Sequence, residues 1–470
     1  MPISQSTETK NRIGFHYYPD TLHYSERDLH TYLPELHALE VSWLTLIAPS
    51  QRAIPEYFLN GLLASGIEPI LHFHLPVETN DGSENLRVLL RNYARWGVRY
   101  LSLFDRPNIR KSWSRSAWSQ IDLVERFLDI YLPLAEMSLQ EGLTPVFPPL
   151  EPGGDYWDTA FLRSALRGIR RRGHDRLLES IVFGAYSFTN GHPLDWGAGG
   201  PERWPEARPY LNNPKVQDQR GFRTFDWYLT ILQAELGQPR PMLLLKAGSS
   251  QKKNLLSKNI EAARNLHTQE NLAIYQGCFS NSNRERYLSA FNSDEISSKG
   301  SFALQQIDPM ILACNFWVLA ASEDSPYVED AWFKPDGSHL PIVGTLREWI
   351  TKKNATSKKL NEYADHFPIS GNLIHEEPNA TPKNGIRPID HYLLLPYFEW
   401  GIPQWALERM ERIIAENHPT VGFSLAEASL ASHVTVIGGP KTFPEEALAP
   451  LHAAGCVIER INEDGTVLAQ

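Results

Sequence analysis

One phrase recurs along the chain. A helical stretch closes on a glycine, and a short unbroken apolar run then ends in proline, histidine or acidic residues. Residues 57–76 (YFLNGLLASGIEPILHFHLP) carry it, and so do 88–108 (VLLRNYARWGVRYLSLFDRPN), 131–154 (YLPLAEMSLQEGLTPVFPPLEPGG) and 228–248 (YLTILQAELGQPRPMLLLKAG). Leucines and aromatics fall at helical spacing in the first part, and continuous apolar sequence follows. A glycine at the helix end accepts a left-handed φ and lets the chain turn back. An unbroken apolar run, rather than an alternating one, is what a parallel strand covered on both faces needs.

Eight such strands can be read: 11–20, 41–49, 67–76, 98–108, 143–152, 179–188, 240–248 and 310–320. Helical patterns separate most of them, which predicts an α/β chain with a (β/α)8 TIM barrel over residues 11–350. An open doubly wound sheet is the alternative, but no glycine-rich phosphate fingerprint follows the first strand. Residues 351–388 are polar and short of large apolar runs, as a linker or surface extension should be. Residues 389–470 predict a small three-layer α/β domain of three strands. These are HYLLLP (391–396), SHVTVIGG (432–439) and CVIERIN (456–462), with helices over 404–417 and 443–455.

Bulk properties exclude several partners. The net charge of −10 opposes non-specific contact with nucleic acid or with an anionic membrane surface. No stretch approaches the roughly 18 consecutive apolar residues of a membrane span. Cys278, Cys314 and Cys456 are odd in number and far apart, so neither a disulfide framework nor a cysteine-rich metal site is predicted. The N-terminal residues show no apolar signal-peptide core, and a cytoplasmic location is the default expectation. No cofactor is implied.

The strand ends hold the candidate chemistry. Strand 4 stops at Asp105-Arg106-Pro107-Asn108. Asp105 reads either as an acid–base group at the mouth of a pocket or as the partner of Arg106 or Lys246 in a structural ion pair. Other carboxylates follow at Glu151 and Asp155 after strand 5, Asp195 after strand 6, and Glu323 and Asp324 after strand 8. His72 and His74 are two residues apart and share one strand face. With His16 and Asp105 they could form a metal set. The preferred expectation is no metal, with these histidines and Tyr186 lining the pocket and bonding substrate hydroxyls. The loops at 151–158 and 189–210, the latter carrying Trp196, read as pocket walls, because glycines admit close approach and aromatic rings suit sugar faces.

These strand ends resemble the retaining glycoside hydrolases built on (β/α)8 barrels. In that superfamily strand 4 ends in Asn-Glu-Pro, strand 7 in Glu-x-Gly, and strand 8 in a tryptophan beside the substrate. Here the corresponding stretches are FDRPN, LLLKAG and NFWVLAASEDSPYVEDAWFKPDGSHLP, the last with Trp317 and Trp332. The resemblance implies a carbohydrate ligand at the C-terminal face of the barrel, touched by Arg106, Asn108, Lys246 and Trp317. It also places Arg106 where the acid–base glutamate should stand and Lys246 where the nucleophile should stand. Retaining hydrolysis needs two carboxyl groups about 5 Å apart, and inversion needs about 6.5–9.5 Å. Asp105 with Glu151, or Asp105 with Glu323, is the remaining catalytic set. The alternatives are a non-catalytic glycan or cell-wall binding protein and a metal-dependent hydrolase. Residues 424–465 are similar to the cell-wall-binding repeats of bacterial surface proteins, which would imply a cell-surface location. A generic strand–Gly–Gly–helix turn offering its N–H groups to an anion is the competing reading.

Overall fold

A computed structural model describes residues 11–78, 83–119, 122–213, 215–250, 260–278, 307–366, 387, 389–396, 405, 413, 419–422, 425–462 and 466–469. The chain divides into two compact units, Met1–Pro368 and Ile369–Gln470.

The first unit is a closed barrel of eight parallel strands in sequential order. They are β1 (Ile13–His16), β2 (Trp43–Ala48), β3 (Glu68–Phe73), β4 (Tyr100–Ser102), β5 (Thr144–Phe147), β6 (Val182–Phe188), β7 (Met242–Gly248) and β8 (Ile311–Phe316). Pairing of Phe15 with Phe316 and with Leu44 closes the ring at β1. All eight strands fall inside the eight predicted apolar runs. The repeated glycines do what the phrase requires. Gly66 and Gly97 follow helices Glu56–Ala64 and Ser83–Arg95 at φ 76° and 89°, where any side chain would strain the backbone.

Side-chain alternation sorts the barrel into two cores. Trp43, Ile70, Val146, Val182, Leu243 and Ala313 come from six strands and touch one another inside the ring. Their neighbours Leu44, Leu71, Phe147, Phe183, Leu244 and Cys314 belong to the larger core between the sheet and the helices. Both strand faces are therefore dry, with roughly 1.5–3 kcal/mol for each large apolar side chain buried. At the N-terminal end Arg99 is paired with the buried Glu68 at 2.6 Å.

Residues 351–388 are the expected linker or surface extension. Helix Pro341–His366 runs through its first part, and 367–386 lie outside the described residues. No helix among the described residues is long and apolar enough to cross a membrane.

The second unit holds a five-stranded sheet rather than the three strands expected. Its order is β10–β9–β11–β12–β13, with only β13 antiparallel. The predicted strands are β9 (Ile389–Leu394), β11 (Ala431–Ile437) and β12 (Val457–Ile461). β10 (Thr420–Gly422) and β13 (Val467–Ala469) have three residues each, too few to show a pattern. Tyr392, Leu394, Val434, Val436, Leu448 and Ile458 form its core with helix Glu445–Ala453. The predicted helix over 404–417 lies almost wholly outside the described residues. The Gly438–Gly439 turn does not offer its first N–H to an anion, because Gly438 donates to the Ile461 carbonyl at 2.8 Å. Two glutamates, Glu445 and Glu446, occupy the first turn of the helix that follows, and Arg460 pairs with Glu445 at 2.5 Å. An anion there would meet negative charge.

Candidate active site

Past β4 the chain leaves the barrel wall through Phe104 and Asp105, and Arg106 takes a φ of 47°. The guanidinium folds back on its neighbour: Nε and Nη2 donate to Asp105 Oδ2 at 3.0 and 2.9 Å. Nη1 reaches across to Glu151 Oε2 at 3.1 Å, on the loop after β5. The other oxygen of Asp105 accepts the Tyr186 hydroxyl from β6 at 2.5 Å. One arginine thus spans the two carboxylates that the sequence nominates as a catalytic pair.

These contacts fix the charge state of Asp105. Burial would raise its carboxyl pKa, but Lys246, His72, His74 and Arg106 outweigh burial and hold it well below the usual carboxylate range. At neutral pH the two imidazoles are themselves uncharged, so the effect comes from Lys246 and Arg106. Asp105 stays ionised and has no proton to give a leaving group.

Lys246 enters the barrel by a backbone irregularity. Leu243 and Leu245 face the interior, so simple alternation would send Lys246 outward. The β6–β7 register skips a residue, pairing Ala185 with Leu244 and Tyr186 with Lys246, and the β7–β8 register shifts over the same stretch. This bulge turns Lys246 inward beside Leu245. Its Nζ lies 4.8 Å from the Tyr186 ring centre and 4.6 Å from that of Trp317. Among the described residues it makes no hydrogen bond and no ion pair. Burial pushes its pKa down to about 8, against the opposing pull of Asp105.

The histidines gather here as expected. His16 is fully buried against Trp317, with ring centres 4.7 Å apart, and His72 lies 4.5 Å from His74. Burial, with Lys246 adding to it, drives His16 and His72 well below the ordinary imidazole value. His74 moves to about 4, again chiefly through burial in the mouth, although its ring reaches solvent. Each imidazole is therefore neutral at pH 7. His72, His74 and Asp105 bring one donor atom each within 4.8 Å of one another, a spacing that a metal ion could take. Both Asp105 oxygens are already bonded, however, and a divalent cation would face Lys246 and Arg106. We therefore do not assign a metal to this set.

Other nominated residues serve the loops. Asn108 is fully buried and is not open to a ligand. Its Nδ2 donates to the Glu151 and Tyr156 carbonyls, each at 2.9 Å, and its Oδ1 accepts Glu151 N–H at 2.8 Å. It clamps the loop that carries Glu151. Trp196 stacks on His192 at 4.0 Å and donates to Asp218 at 3.2 Å. Asp155 accepts the Arg110 N–H at 2.8 Å. Glu323 is exposed on the loop after β8 and makes no ion pair among the described residues. Trp317 is only 7% exposed, its ring covered by His16, Lys246 and, at 5.0 Å, Tyr327. Sequence reading missed Tyr327 and the bulge. The Ser-Pro-Tyr context of the first is a weak loop signal, and the second leaves none. Beside this cluster, an open depression of about 470 Å³ is lined by Asp20, Leu22, Ile47, Pro49, Ser50, His74 and neighbouring residues.

No protein-family model matches the chain, residues 424–465 included, and a search of curated proteins finds no match. Solved structures give slight likenesses. One is a monomeric β-xylosidase from Caulobacter crescentus, at 12% identity over 72% of this chain and 67% of that one, with a TM-score of 0.40. An endo-β-1,3-glucanase from Sorangium cellulosum also has 12% identity, over 72% and 97% of the two chains, with a TM-score of 0.37. A β-galactosidase from Marinomonas ef1 has 9% identity over 96% and 75%, with a TM-score of 0.39. Likenesses this slight carry no argument about chemistry. The barrel rests on its own strand pairing.

Proposed function

We propose that the mouth of the barrel binds a neutral carbohydrate and does not hydrolyse it through a carboxylate pair. The carrying observation is Arg106, bonded to Asp105 and Glu151 together. Hydrolysis needs one carboxyl group that keeps a proton at working pH while the other attacks or activates water. Asp105 is held ionised, and Glu151 is tied to the same cation. Glu323 lies exposed on another loop.

The balance of charge supports a neutral ligand. Asp105 and Glu151 are offset by Arg106 and Lys246, so the cluster has polar groups in quantity without a net charge, and Asp20 is the one charged side chain lining the adjoining depression. Such a site suits a polyhydroxyl compound, whose hydroxyls both donate and accept, better than an ion. Solvent-reaching His74, Arg106 and Glu151 supply the bonding groups, and the apolar wall of Leu22, Ile47 and Pro49 supplies a surface for ring carbons.

A glycan array probed with the full chain tests this. Retention of a restricted set of neutral glycans, weakened at least tenfold by Arg106→Met, is the expected result. Retention of anionic glycans alone, or of none, would contradict the reading.

A further inference from the structure

We propose that Lys246 is a nucleophilic amine that condenses with the carbonyl of a small hydroxyaldehyde or open-chain sugar admitted to the barrel mouth. The choice of a sugar aldehyde rests on the carbohydrate reading above, whereas the amine's reactivity rests on its own geometry.

Three observations carry it. The chain spends a β-bulge to bring a lysine to an interior position that alternation would deny it. The interior then withholds a partner: among the described residues Lys246 meets no carboxylate within ion-pair distance, and Asp105 is bonded to Arg106 and Tyr186 instead. The amine is flanked by the Tyr186 and Trp317 rings and retains 8% of its surface. A structural lysine would be paired with a carboxylate or would extend its head to water. Burial, with Arg106 adding to it and Asp105 opposing, holds the amine closer to its neutral form, which has the lone pair needed for attack. Its pKa near 8 agrees with that placement.

The step balances without an external reagent. The amine lone pair attacks the carbonyl carbon, and the π pair moves to oxygen, which takes a proton. The resulting carbinolamine then loses water as the C=N bond forms, and both original N–H protons leave in that water. Tyr186 turns its ring face to the amine and gives its hydroxyl to Asp105, so water admitted at the mouth carries the proton between nitrogen and oxygen.

The test uses the full chain, glycolaldehyde as probe and cyanoborohydride as added reductant, which delivers hydride to the imine carbon while solvent protonates nitrogen. Peptide mapping by mass spectrometry then ranks the lysines at pH 7.5. Labelling of Lys246 at least tenfold faster than exposed Lys111 and Lys215 is expected, with a rate that rises as pH passes through about 8. Labelling no faster than at those surface lysines overturns the proposal. Because the wild-type chain is mapped, the result does not depend on a variant folding. Calorimetry with methyl glycosides, which have no free aldehyde, separates the two readings. Binding of methyl glycosides without Lys246 labelling sinks only the amine. Labelling without binding of any methyl glycoside sinks the carbohydrate-binding site and leaves the amine.

Discussion

Arg106 donates to Asp105 Oδ2 at 2.9 Å and to Glu151 Oε2 at 3.1 Å while its own backbone sits at φ 47°. A left-handed arginine costs on the order of 1 kcal/mol relative to glycine, so the fold accepts strain to aim this guanidinium. Two substitutions separate the terms. Arg106→Ala should lose the bridge and keep the strain, lowering stability by about 2 kcal/mol. Arg106→Gly should lose the bridge but relieve the strain, and so unfold later in urea than Arg106→Ala by on the order of 1 kcal/mol. Equal midpoints for the two variants would remove backbone strain from the account.

The buried amine has a pH signature. The folded-state pKa of Lys246 lies near 8, below the 10.5 of an unperturbed lysine. Between those values the unfolded chain binds more protons than the folded one, so Lys246 makes stability rise with pH over that window. Below pH 8 its burial costs the fold about 3 kcal/mol. Lys246→Met should therefore raise the melting temperature at pH 7, with the gap to wild type narrowing as pH approaches 10. A gap that stays constant from pH 7 to 10 would mean that Lys246 titrates normally.

Asn108 should behave as a structural residue. Asn108→Ala removes three hydrogen bonds that join the β4 and β5 loops and leaves the part-buried Glu151 N–H and Tyr156 carbonyl without them, a loss of about 3 kcal/mol. Urea unfolding measures it. The expected result is a large shift in midpoint, with any loss of glycan affinity accompanying it, because Asn108 holds the loop that carries Glu151. Lost affinity at unchanged stability would make Asn108 a ligand contact after all.

The barrel was legible because its code is local. Glycine-ended helices followed by unbroken apolar runs mark each unit, as in the stretches that became β3 and β4. The placement of Arg106 and Lys246 at strand ends was legible for the same reason. Their partners were not. That Arg106 reaches Glu151 depends on two loops meeting in space, and that Asn108 faces inward depends on the carbonyls around it. Lys246 shows the sharper limit: alternation from Leu243 and Leu245 points it outward, and only the register shift against β6 and β8 reverses that. β10 and β13 escaped because three-residue strands at the two edges of a sheet carry too little pattern to read.

The most direct test of the central claim is the fate of a bound glycan. Neutral oligosaccharides retained on the array would be incubated with the full wild-type chain and recovered for mass analysis. The account predicts recovery at unchanged length, because Asp105 and Glu151 are both committed to Arg106. Shortened products from the wild-type chain, absent with Asp105→Asn or Glu151→Gln, would contradict it and restore the two carboxylates as a hydrolytic pair.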